Sequence, residues 1–118
     1  VTFAGVDAEF TGDTFLGSGA LSYSWYNNVV VAEHHCPDLI DWTLTFTDDE
    51  GIKYKVGHTQ LLDVVRKVAI GELAMPDDCT RNCLYMFAGA DALELVDFDA
   101  VTADCILQQC AFDDVVYG

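Results

Sequence analysis

Positive charge is the scarcest feature of this sequence. Five Lys and Arg residues face 20 Asp and Glu, giving a formal net charge of -15. Such a surface repels phosphates, so direct nucleic-acid binding is not expected. No apolar run approaches the ~20 residues that a membrane-spanning helix needs, so no membrane association is expected. The start, Val1 to Asp7, lacks the basic stretch and apolar segment of a secretory signal, and it does not begin with Met. A Gly-Lys-Ser/Thr motif is absent, which leaves Gly17-Ser18-Gly19 without the lysine of a phosphate-binding loop. Internal repeats and linkers are also missing. At 118 residues with 52% hydrophobic content, the chain is expected to form one domain, 1–118, with a packed core.

The five cysteines form an odd set in a core-rich chain. That pattern suits free, buried thiols in a reducing cytoplasm better than a disulfide scaffold. The acidity is dominated by Asp, placed at turns and helix starts, where its side chain caps and bends the backbone.

Residues 11–16 are expected to form a short helix stopped by Gly17-Ser18-Gly19. An extended segment is expected over Ser22 to Cys36, with Asn27 and Asn28 marking a bulge or an edge position. Strict alternation from Asp41 to Thr47 puts Trp42, Leu44 and Phe46 on one face and Thr43, Thr45 and Thr47 on the other. Asp48-Asp49-Glu50-Gly51 is a turn signal. It is followed by a strand with Ile52, Tyr54 and Val56 inward, and with Lys53 and Lys55 outward as protection of an edge.

His58 opens a helix with an apolar stripe of Leu61, Leu62, Val65, Val68 and Ala69 that Gly71 ends. Pro76-Asp77-Asp78 starts another, with Cys79, Cys83, Leu84 and Phe87 on its apolar face and Gly89 as its stop. Leu93 to Val96 is expected to be extended. Asp97 or Asp99 then caps a last helix carrying Ala103, Ile106, Leu107, Cys110 and Ala111. The tail Val115-Val116-Tyr117 is expected to pack down or to add a strand edge. Strands followed by helices indicate the α+β class: a small antiparallel sheet of about three strands, including a 41–57 hairpin, then about three helices.

Chemistry-bearing residues are few. Glu33-His34-His35-Cys36 with His58 holds good zinc ligands, and His34, His35, Cys36 and His58 are the candidate metal set. Neighbours on a strand point to opposite faces, which works against His34 and His35 sharing a metal. The spacings Cys79/Cys83 and Cys105/Cys110 are not those of a zinc knuckle. Cys36 beside His34 and His35 is the only local thiol–imidazole pair, and no flanking motif makes it a nucleophile. Acid pairs such as Asp48-Asp49, Asp77-Asp78 and Asp113-Asp114 arise from composition. No catalytic residue and no cofactor is assigned.

The C-terminal residues carry a likeness to known sequences. Asp97-Phe98-Asp99-Ala100, then Ala103-Asp104-Cys105-Ile106-Leu107-Gln108, then Phe112-Asp113-Asp114-Val115-Val116-Tyr117-Gly118 resemble the ending of small uncharacterised proteins of bacteriophages and their hosts. Gly17-Ser18-Gly19 leading to Tyr23-Ser24-Trp25 is similar to their upstream segment. Asp113 stands where that group commonly has Gly. The resemblance implies the cytoplasm of a phage-infected or marine bacterial cell, and it transfers no activity.

The expected function is that of a non-enzymatic accessory protein acting through protein contacts or self-assembly. Its partner would be a second copy or another protein, met through Trp25, Tyr26, Val115, Val116 and Tyr117. The alternatives are an acidic mimic of nucleic acid that occupies a DNA-binding protein, and a metal-dependent site at the histidines.

Overall fold

The computed structural model describes residues 2–36 and 39–117, excepting the side chains of residues 35, 36, 39 and 40. The fold is α+β. Three strands, β1 (Asn27–Cys36), β2 (Leu39–Thr47) and β3 (Lys53–Gly57), form an antiparallel sheet in the order β1-β2-β3. On one face of the sheet pack α2 (His58–Ala69) and α4 (Ala100–Phe112), and α3 (Asp77–Ala88) packs against these two helices. Before the sheet comes a short helical stretch, α1 (Ala8–Thr11), which widens into one π-helical turn at Gly12–Leu16.

The alternation along β2 sets the layers. Trp42, Leu44 and Phe46 are buried against the helices, while Thr43, Thr45 and Thr47 form the outer face. Leu61, Val65 and Val68 from α2, Cys79, Cys83 and Met86 from α3, and Ile106 and Leu107 from α4 complete the core with Phe15. Asp48 closes the β2–β3 turn by accepting backbone N–H bonds from Glu50 and Ile52, each at 2.9 Å, and a bond from the Tyr54 hydroxyl at 3.0 Å.

Each long helix begins as its sequence directs. Gln60 accepts the Gly57 amide at 2.9 Å at the start of α2, and Asp77 and Asp78 occupy the first turn of α3. Of the two cap candidates for α4 it is Asp99 that caps, with Thr102 N–H donating to its carboxylate at 2.8 Å and Thr102 Oγ1 accepting the Asp99 amide at 3.0 Å.

Several expectations need correction. β1 starts at Asn27, not Ser22, because Ala20–Ser22 make a 3₁₀ turn and the Tyr26 amide bonds back to the Tyr23 carbonyl. The Asn27-Asn28 break is a bulge: the pairing register shifts between Asn27 and Val30, and Asn28 has φ of 51°. Ile52 is half exposed because it belongs to the turn and not to β3. Ala90–Leu95 form a 3₁₀ helix that takes in Leu93, Glu94 and Leu95 of the expected extended link, and Val96 alone is extended. On α3, Leu84 faces solvent, and Met86 and Asn82 take the buried positions. Asn82 is there to tie down the following loop, since its Oδ1 accepts the Asp97 amide at 2.7 Å.

Candidate interaction surface

Asp104 and Gln108 lie one turn apart on α4, and both are buried. Two buried polar side chains on one helix are costly unless every group finds a partner. Here each does. Asp104 Oδ1 accepts from the Trp25 indole N–H at 3.1 Å and from the Tyr26 hydroxyl at 2.5 Å, and its Oδ2 accepts from Gln108 Nε2 at 2.7 Å. Gln108 Oε1 accepts the amides of Val116 and Tyr117 at 2.9 and 2.8 Å, and its Nε2 also donates to the Tyr117 carbonyl at 3.1 Å. The tail is thus bound by its backbone to the side chain of one glutamine. It packs down and adds no strand.

That attachment builds an aromatic stack. Tyr117 lies parallel to Trp25 with ring centroids 5.4 Å apart, and Trp25 lies on Tyr23 at 4.7 Å. Beside the stack is a groove of about 470 Å³ lined by Tyr23, Trp25, Val101, Cys105, Val116 and Tyr117 among others. Val101 and Val116 are about 60% exposed on its rim, which leaves an apolar patch open to water. On the other side of Tyr117 a smaller cleft is walled by Tyr54, Phe112 and Tyr117 and rimmed by Asp48, Glu50 and Asp113. Among the described residues the ion pairs are those of Asp63 with Arg66 and Lys67, and of Asp78 with Arg81, all on α2 and α3. The acidic rim has no such counterion.

Four of the five expected contact residues therefore line one groove: Trp25, Val115, Val116 and Tyr117. Tyr26 does not present a surface. It is buried against Phe46, and burial first, then the hydrogen bond to Asp104, pushes its phenol far above the usual tyrosine range. Sequence reading missed Asp104 and Gln108 as the organisers. Their polar character within the apolar run of α4, at i and i+4, was the available signal. Asp113 adopts the left-handed conformation (φ 58°, ψ 18°) that a glycine would favour and that Asp tolerates.

The histidines are separated. His34 lies on the outer face of the sheet, its Nε2 3.3 Å from Thr43 Oγ1. His58 lies on the helix side, its Nδ1 2.8 Å from the fully buried Thr11 hydroxyl. The side chains of His35 and Cys36 fall outside the described residues, and among the described residues no three His, Cys, Asp or Glu are gathered as metal ligands would be. Cys79, Cys83, Cys105 and Cys110 are free thiols. Burial pushes Cys110 up to about 12, and its hydrogen bond to Cys79 together with burial pushes Cys83 up as well. These two thiols stay protonated at neutral pH.

Thr11 is a junction of three elements. Its Oγ1 accepts from the Trp42 indole at 3.0 Å, and its hydroxyl is within reach of both the Ala8 carbonyl and His58. With neutral His58 the hydroxyl donates to Nδ1. With protonated His58, Nδ1–H donates to Thr11, whose proton turns to Ala8. Burial holds the His58 imidazole below its ordinary value of 6.5, against the opposite pull of Asp41 and Asp7. The unfolded chain therefore takes up this proton first, so this contribution to stability is complete above pH 6.5 and is lost as pH falls below it. In urea titrations the stability advantage of the wild type over His58→Gln is expected to shrink between about pH 7 and 5.

No family model, curated protein sequence or solved structure matches the chain. No helix among the described residues is long and apolar enough to cross a membrane.

Proposed function

We propose that this chain is a non-enzymatic accessory protein of bacteriophage type that works in the cytoplasm through protein contacts. The observation that carries the reading is the convergence of Trp25, Tyr117, Val101 and Val116 on one open apolar groove, held rigid from below by Asp104 and Gln108. A rigid aromatic floor with an exposed aliphatic rim is the composition of a contact hot spot. The adjoining acidic rim and the net charge of -15 select the partner's chemistry: an extended protein segment with apolar side chains flanking a Lys or Arg. The segments that carry the phage-type likeness supply Tyr23, Trp25, Asp104, Gln108, Val116 and Tyr117, which together with Tyr26 form the network and its stack.

The mimic of nucleic acid finds less support. Many of the carboxylates sit at the cap of α1, the β2–β3 turn, the starts of α3 and α4 and the tail, where capping and turn formation account for them, and Glu33, Asp41 and Asp63 are spread over β1, β2 and α2.

Amide chemical shifts of labelled protein, titrated with acetyl-Leu-Lys-Leu-amide, test the reading. Changes are expected at Trp25, Val101 and Tyr117. The Leu-Glu-Leu analogue is expected to bind at least about tenfold more weakly, one unfavourable charge contact being worth more than ~1.4 kcal/mol. Val116→Asp, on the exposed rim, is expected to abolish the changes without unfolding the protein. Absence of shifts up to millimolar peptide, or equal binding of both peptides, would overturn the assignment.

A further inference from the structure

The two edges of the sheet are treated differently. At one edge, β3 is five residues long and carries Lys53 and Lys55, both exposed. Short length and lysines are the usual protection of an edge against strand pairing. The other edge, β1, is ten residues long and contains neither Lys, Arg nor Pro. Val29, Val30 and Val31 are exposed along it, at 36%, 58% and 41%. The bulge at Asn27-Asn28 lies at one end, and from Val30 to Cys36 the strand pairs regularly with β2. A regular edge of this kind with exposed β-branched residues is a template for another strand.

The charge distribution favours a particular occupant. Residues 14–32 form the longest stretch of the sequence without an acidic residue, and they run into β1. Two chains of net charge -15 repel each other almost everywhere else. Along β1 itself Glu33 is the one acidic residue, so two copies can pair strand to strand there with little like-charge contact. An antiparallel pair related by a two-fold axis through Val30 or Val31 sets Glu33 opposite residue 27 or 29 of the second copy, both neutral, and never opposite the second Glu33.

The space beside β1 fits the same arrangement. Val31 pairs with Leu44 and so faces the helix side. It lines a groove of about 480 Å³ with Ala8, Gly12, Leu16 and Trp42, and the same groove carries Glu9, Asp13 and Glu33. A strand added to β1 brings its own Val31 to this groove, which supplies apolar burial that a bare strand pair lacks.

We infer that β1 pairs antiparallel with β1 of a second copy, joining two three-stranded sheets into one six-stranded sheet in a symmetric dimer. This surface is separate from the Trp25–Tyr117 groove and does not depend on the reading given for it.

Light scattering after size exclusion at about 0.5 mM chain, far above the micromolar dissociation constants typical of moderate interfaces, tests the dimer. The wild type is expected at about 26 kDa, twice the 12.9 kDa of one chain. Val30→Lys is expected near 12.9 kDa, and Ile52→Lys, on the far side of the sheet, is expected to remain a dimer. Val116→Asp is also expected to remain a dimer, so loss of peptide binding and loss of dimerisation are separable. A monomeric wild type, or a Val30→Lys protein that stays dimeric, overturns the inference. Should Val30→Lys misfold, amide exchange of the wild type decides the matter. Residues 29–32 are expected to exchange more slowly at high than at low concentration, and unchanged rates overturn the pairing.

Discussion

Asp104→Ala is expected to cost about 3 kcal/mol of folding stability, the scale seen when a buried charged acceptor is removed and its donors are stranded. Three donors lose their partner: the Trp25 indole, the Tyr26 hydroxyl and one N–H of Gln108. The Tyr26 hydroxyl and the Gln108 N–H suffer most, because both residues are buried whereas Trp25 is half-buried. Asp104→Asn does not repair the loss. Gln108 already has its orientation fixed, with Oε1 toward the amides of Val116 and Tyr117 and Nε2 toward Asp104. An Asn amide group facing that Nε2 would put donor against donor, and turning Gln108 over would release the tail. The expected order of urea midpoints is wild type above Asp104→Asn above Asp104→Ala. Absorbance titration gives an independent readout. Burial is the larger cause of the raised Tyr26 pKa and Asp104 the next, so Tyr26 in the Asp104→Ala protein is expected to ionise at lower pH, though still above an ordinary tyrosine. A midpoint unchanged by either substitution would show that the network contributes nothing to folding.

Gly89→Ala is the second large effect, and its origin is steric. Gly89 ends α3 with φ 68° and ψ -165°, a conformation that only glycine adopts readily. A Cβ there would lie 2.4 Å from the Ala4 amide nitrogen and 2.8 Å from its carbonyl oxygen. Those are backbone atoms, held by the Ala90 amide bond to the Ala4 carbonyl at 2.7 Å and by Phe3 N–H to the Phe87 carbonyl at 2.9 Å. Phe3 also packs edge-on against Phe87. The neighbour therefore cannot yield without detaching the N-terminal turn from α3. The expected loss is about 3–5 kcal/mol, or roughly 10–20 °C in Tm for a domain of this size. Gly51→Ala is the control: φ is also positive at 82°, but nothing lies within 4 Å. It is expected to cost only about 1–2 kcal/mol, the conformational part alone. Equal losses at the two sites would mean that the close approach to Ala4 carries no energy.

Legibility followed periodicity. β2, the β2–β3 turn and α2 were plain because alternation or a 3.6-residue stripe repeats there with one buried side. α4 was only half legible. Helix packing, the N-terminal segment and the tail cover it on several sides, so its buried set includes Thr102, Asp104 and Gln108, which no apolar stripe contains. The 90–95 segment misled because Leu93-Glu94-Leu95-Val96 alternates like a strand, while its backbone is curled by the 3₁₀ bonds that follow Gly89. The Trp25–Tyr117 groove was legible as residue types and not as an arrangement. Nothing local places Tyr117 on Trp25. That contact runs through Gln108, whose backbone-binding role depends on the fold being complete.

Trp25 and Trp42 are the chain's two tryptophans, and they sit in unlike surroundings. Trp25 is half-buried in the stack with its indole on a carboxylate, whereas Trp42 is buried with its indole on the Thr11 hydroxyl. The molecule therefore carries two optical reporters, one on the Asp104 network and one on the α1–sheet–α2 junction. With either one changed to Phe, emission from the other follows a single region. Occupation of the Trp25–Tyr117 groove would register in one spectrum and leave the other unchanged.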